Sequence, residues 1–268
     1  MRTPAFGRAL PHDSALHRRN PTVKLVVLLL LSTGVVAVFD PWTPAALYLV
    51  ALPSVLLAGR IPWRVLASAQ LFFAPFALSI LVVNAVTRPG EPVAVGPLEA
   101  TDLGLTVGLS LMARTMLVGL LSTTFVLTTD GARLMTSLHQ HARLGSRGTY
   151  AVLAGYRMLE QLPERWATIR QAQSARDVRR PGAGPPRSPR ALARASFTLL
   201  VVTLRQSERL ATAMETRGLG SGPRTVFRPV ELGRGDAVFA VVTLGVASAV
   251  VALSAATGVL ASWGALTP

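Results

Sequence analysis

Five apolar stretches limit what this chain can fold into: residues 23–39, 44–58, 65–86, 103–127 and 237–257. Hydrocarbon offers a backbone amide no partner, so such a run crosses lipid as a helix that bonds itself. Only 15% of the 268 residues are charged, where a soluble domain carries about 25%. The first two stretches are short, since ~17 residues at ~1.5 Å each reach ~25 Å of a ~30 Å core. They are expected to form a tight helical hairpin or to draw on neighbouring turn residues. Lys24 breaks the first stretch, and its stem is long enough to snorkel to the headgroups. That stretch reads as a retained span and not a cleaved leader, because more spans follow and Ala37-Val38-Phe39 is a poor cleavage site. Asp40-Pro41-Trp42-Thr43-Pro44 is a turn, with Trp42 suited to a membrane interface. Pro75 should kink the third stretch, and the Pro-, Gly- and acid-rich residues 87–102 read as a loop. Arg114, near the middle of the fourth, costs ~2.5–3.5 kcal/mol in lipid. It is expected to be tied to backbone carbonyls or a polar neighbour in preference to touching a substrate.

The net charge is +14, and eighteen of the 27 Lys and Arg fall in residues 129–235. Five more lie in the arm ending at Lys24 and two in the 59–64 loop, while Arg88 stands alone on the opposite side. The alternation places the N-terminus and residues 129–235 in the cytoplasm and the C-terminus outside a plasma membrane. Nucleic acid is a poor partner for such a pattern, because the charge is confined to particular loops and no aromatic stacking platform accompanies it. Cysteine is absent, which excludes disulfides, thiol nucleophiles and cysteine metal sites. The histidines pair as His12 with His17 and His139 with His141, and two residues apart on a helix face different ways, so no metal site is read there. A Walker A loop needs Lys followed by Ser or Thr; the sole lysine, Lys24, precedes Leu25. Any ATP must be used by another polypeptide. Asp130-Gly131-Ala132-Arg133 resembles part of the signature of lipid-headgroup transferases, but the further aspartates that chemistry needs for metals are not in register. The chain is expected to be non-catalytic, with no cofactor and no metal.

Three regions follow: an arm and four spans over 1–128, a cytoplasmic helical region over 129–235, and a last span over 236–268. In the middle region Asp130 should cap a short helix closed by Gly145. A longer helix is expected from about Thr149 to Arg176, with a stripe of apolar and small residues through Val152, Tyr156, Leu159, Leu162, Trp166, Ile169 and Gln173. Pro163 should bend or split it. Residues 178–189 are a Pro/Gly linker, and a second long helix runs from Ala191 to Arg217. Its SFTLLVVTL run is too short to span and should be buried or lie at the interface. Both long helices end on arginine, as Ala175-Arg176-Asp177 and Thr216-Arg217-Gly218. Arg near a helix C-terminus followed by a left-handed Gly is also an ordinary cap. Asp177 is a worse cap than Gly, so capping alone does not account for the first of the pair.

These features together resemble the transmembrane T component of energy-coupling factor importers, the CbiQ/EcfT-like family. Asn20-Pro21-Thr22-Val23-Lys24-Leu25 is similar to the family's "hydrophobic-x-P-x-x-K-L" lead into the first span. Thr128-Thr129-Asp130 resembles the junction after the fourth, and Ala172 to Arg176 and Ala213 to Gly218 resemble its paired Ala-Arg-Gly signatures. The resemblance implies an all-α integral membrane protein with about five spans, two long coupling helices and a shorter one. It also implies two ABC ATPase subunits as partners, Arg176 and Arg217 each docking in one of them. A small substrate-binding membrane subunit would supply specificity for a vitamin or metal ion. Asp177 for Gly and Thr216 for Ala depart from the family pattern, the first able to make the two docking sites unequal. A lipid-modifying membrane enzyme and an ordinary ABC permease are the competing readings; a second Arg-ended helix speaks against the permease, which presents one coupling segment per chain.

Overall fold

The structure is a computed structural model and describes residues 14–95, 98–142, 145–176, 188–219 and 229–258. Its elements in order are α1 (Pro21–Val36), α2 (Trp42–Gly59), α3 (Trp63–Thr87), β1 (Pro92–Val95), β2 (Leu98–Thr101), α4 (Asp102–Thr128), α5 (Gly131–His141), α6 (Ser146–Ala175), α7 (Pro189–Thr216) and α8 (Arg234–Ala256). Among the described residues four helices (α2, α3, α4 and α8) are long and apolar enough to cross a membrane, and α1 is a shorter apolar helix. The fold is the all-α membrane class expected. It divides into two compact units, one holding α1 to α4 with α8, the other α5 to α7.

In the membrane unit, α3 and α4 form the closest pair, and glycine is the reason. A Cβ on Gly104 would sit 2.5 Å from the Asn84 carbonyl, and one on Gly108 would sit 2.9 Å from that of Leu81. Residues four apart share a helix face, so this Gly-x-x-x-Gly pair lets two backbones touch where lipid gives no hydrophobic drive to associate. Val107, between the two glycines, is fully buried, as is Leu120, which packs with Val55, Ile61 and Leu66. Leu57, Phe72 and Val241, by contrast, are more than 70% exposed, as lipid-facing positions must be. The expected loop between α3 and α4 contains two short strands. β1 and β2 pair antiparallel with Pro92 opposite Thr101 and Val95 opposite Leu98. Thr101 Oγ1 donates to the Arg88 carbonyl (3.0 Å) and accepts from the Gly104 N–H, so one side chain ties the end of α3 to the start of α4.

The two short first stretches do not pair as a tight helical hairpin: α1 and α2 pack on α4 and α8 and not on each other. α2 draws on flanking turn residues to run from Trp42 to Gly59, and two cations set the depth of α1 against α4. Lys24 is buried, and its Nζ donates to the Thr128 carbonyl at 2.8 Å and to Thr128 Oγ1 at 3.4 Å. The ammonium therefore does not snorkel. It caps the last carbonyl of α4, where the helix dipole favours a cation. Arg114 of α4 donates to the Val38 carbonyl just past the end of α1, with its guanidinium 5.5 Å from the Phe39 ring. Fourteen residues separate Lys24 from Val38, and fourteen separate Arg114 from Thr128. The antiparallel helices are thus pinned at both ends of a ~21 Å stretch, short of a ~30 Å core. The turn after α1 consequently meets α4 near its middle, which explains an arginine there.

The third tie is at Asn20. Its side chain accepts from Thr22 N–H (2.9 Å) and caps α1, with Pro21 in the first turn. Its own N–H donates to Asp236 Oδ1 at 2.8 Å, while Asp236 Oδ2 accepts from Gly233 N–H at 2.9 Å. One buried carboxylate thereby joins the starts of α1 and α8.

The helical unit is built outward from α6. Gly131 at the start of α5 faces Tyr156, whose ring a Cβ there would overlap at 2.6 Å. His139 meets Tyr150 with ring centroids 6.0 Å apart, and His141 Nε2 lies 3.0 Å from the Val230 carbonyl. The two histidines have different partners, and among the described residues no cluster suited to a metal exists. Gly145 does not close α5, which ends at His141. With φ −54° Gly145 instead begins α6, its carbonyl accepting from Thr149 N–H at 3.1 Å. Pro163 does not split α6, which runs unbroken through it. The chain tolerates the one missing bond because the flanking turns stay paired. α7 joins α6 near Gln173, whose Nε2 donates to the Ala191 carbonyl at 3.5 Å, and Ala195 is fully buried. Most of the apolar run beyond it is not buried within the unit: Phe197, Leu200 and Leu204 are exposed.

Candidate functional site: two arginine-ended helices

Arg176 follows α6 directly, with right-handed backbone angles (φ −89°, ψ −6°), and its N–H donates to the Ser174 carbonyl. Arg217 follows α7 with φ −82° and ψ 9°. Gly218 then turns left-handed at φ 74°. Its N–H donates to the Glu215 carbonyl at 2.8 Å and that of Leu219 to the Met214 carbonyl at 3.0 Å. This paired pattern is a Schellman motif, and it depends on Gly218 and not on the arginine side chain. The termination of α7 is therefore explained without Arg217. Asp177, and with it the unequal-site expectation, lies outside the described residues, as do residues 178–187 of the expected linker.

Arg176, Arg217, Ala175 and Thr216 are all exposed, and Gly218 is half-buried. The two arginines are not brought together. Gln173 touches the start of α7, so Arg176 stands near one end of that helix, while Arg217 ends it, ~40 Å further along. A guanidinium is always charged and carries five donors in a rigid fork, so each tip suits a planar carboxylate.

Sequence reading missed two structural groups, Asp236 and the Gly104/Gly108 pair, although both carried signals: an acidic residue in the first turn of a span, and small residues four apart in an apolar run. Arg114 is tied to a backbone carbonyl as expected, but nothing marked that carbonyl as Val38, because a backbone acceptor leaves no mark in sequence.

An all-α, multi-pass membrane component bearing a separate helical unit with two exposed arginine tips belongs with membrane transporters. The profile of the cobalt transport protein family CbiQ matches residues 12–226, and the chain belongs to that family, the transmembrane T components of energy-coupling factor transporters. It is 27% identical to an energy-coupling factor transporter transmembrane protein of Bacillus selenitireducens, over 92% of this chain and 96% of that one. The Heliobacterium modesticaldum protein of the same name is 28% identical over 90% and 94%. A Bifidobacterium longum protein named as an ABC transporter ATP-binding protein is 30% identical over 93% of this chain, which spans 33% of its length.

Proposed function

We propose that this chain couples ATP hydrolysis in two ABC ATPase subunits to motion of a small substrate-binding membrane subunit. Arg176 and Arg217 are the contacts to the ATPases, and the chain itself carries out no catalysis. The observation that carries this reading is the pair of exposed arginines ending two long helices of one unit. The Bifidobacterium relative lends support, since a segment like this chain makes up a third of a protein named for ATP binding. The exposed face of α7 through Phe197, Leu200 and Leu204 offers apolar area outside the spans for the third subunit. The cargo class is a vitamin or metal ion, with the choice made by that subunit. Co-expression and gentle detergent extraction should recover this chain with two ATPase chains and one small membrane protein. Recovery alone, or with a lipid substrate turned over, would favour the lipid-modifying enzyme instead.

The N-terminus and residues 129–235 are assigned to the cytoplasm and the C-terminus to the outside. The skewed arginine distribution supports this, and ATP is available only there. The absence of native cysteine makes a direct test simple. A cysteine at Ala175 should react with a membrane-impermeant maleimide in inside-out vesicles and stay unlabelled in intact cells. Labelling in intact cells would reverse the topology.

A further inference from the structure

We propose that the membrane unit carries a resident phospholipid site, in which one acyl chain of an anionic glycerophospholipid fills a groove between α1, α2, α4 and α8. The groove has a volume of about 420 Å³, and its wall is formed by side chains such as Val27, Leu31, Ala51, Leu121 and Val242. Three of the hydroxyls in it are already spent: Ser54 donates to the Val50 carbonyl and Thr124 to that of Leu120, both at 2.7 Å, and Thr128 to that of Thr124 at 2.8 Å. On α1 the lining runs from Lys24 to Val35, and on α4 from Leu117 to Thr128, a ~16 Å run on each helix. That is about half of a ~30 Å core, so the groove has the length of one leaflet.

Length, lining and charge decide the occupant. An apolar groove one leaflet deep with cations at one end has the pattern of an acyl chain below its headgroup. The mouth holds Arg19 and Lys24, and among the described residues no carboxylate lines the groove. Lys24 is committed to Thr128, but the Arg19 guanidinium lies against Gly235 in the first turn of α8, where a Cβ would collide with it. A headgroup with net negative charge therefore meets Arg19 and the field of Lys24 together. The site depends on the membrane placement of the spans and not on the coupling role of the arginines.

The test uses the full chain in detergent with 1-palmitoyl-2-oleoyl phosphatidylglycerol and the matching phosphatidylcholine, read by native mass spectrometry. One phosphatidylglycerol per chain should be retained in preference to phosphatidylcholine. Arg19→Gln should weaken phosphatidylglycerol about fivefold and leave phosphatidylcholine unchanged, while Val242→Trp should exclude both. A diazirine-bearing phosphatidylglycerol, which needs no variant, should label peptides of α1, α2, α4 or α8. Equal retention of the two lipids regardless of Arg19, or label confined to α3 or α5 to α7, would overturn the site. So would loss of label in the assembled transporter, which would mean that a partner subunit covers the groove.

Discussion

Replacing Arg176 and Arg217 together by alanine is expected to reduce ATP-driven uptake to background while the protein still inserts and folds. Both side chains are exposed, and the bonds that end α7 come from the backbone around Gly218. Alanine therefore leaves the helix ends intact. Removing one partner of a desolvated charge pair costs ~2–5 kcal/mol, so each single variant should weaken association with the ATPases by about 30-fold or more. Since the tips stand a helix length apart and do not share a partner, the two losses should add. Lysine at either position keeps the charge without the bidentate fork, and should fall between arginine and alanine. The measurement is uptake in vesicles beside ATPase co-purification for each variant. Normal uptake by the double variant would sink the assigned role. Retained association with lost uptake would move the arginines from docking to force transfer.

Asp236→Ala should be the most destabilising single change in the membrane unit. Its carboxylate is buried and accepts the Asn20 and Gly233 N–H groups. Bonds to a charged acceptor contribute ~1.5–3 kcal/mol each, and alanine orphans both donors, so a loss of about 3 kcal/mol is expected. Asn20, the residue whose side chain caps α1, loses its tie to α8 at the same time. Unfolding in mixed micelles by rising denaturant would show this as an earlier midpoint, with Asp236→Asn between, since an amide has one acceptor oxygen. An unchanged midpoint for Asp236→Ala would mean that α8 is held by side-chain packing alone. The two predictions separate cleanly. Loss of Asp236 should lower stability, whereas loss of the arginines should lower transport at unchanged stability.

Hydropathy, the placement of arginine and the helix-end residues are local properties of the chain, and they made the spans, the long helices and the arginine tips legible. They could do so because lipid forces each span to satisfy its own backbone, leaving element type to composition alone. The shortness of the first two spans left a tight hairpin open, but α1 and α2 pack on α4 and α8 and not on each other. The hairpin of β1 and β2 was not legible, because four-residue strands among Pro and Gly look like any loop until they pair. Gly145 was read as an end and proved a beginning, since a glycine's role depends on its φ and not its identity. The fate of the cations rested on partners far along the chain. Lys24 has a snorkelling stem by composition, yet the carbonyl of Thr128, 104 residues away, gives its ammonium a better place than the headgroups. Arg114 likewise found Val38, and Asn20 found Asp236. Hydrogen bonds to backbone oxygens and carboxylates across the fold are made in three dimensions, and a string of side-chain types carries no record of which carbonyl will stand within reach.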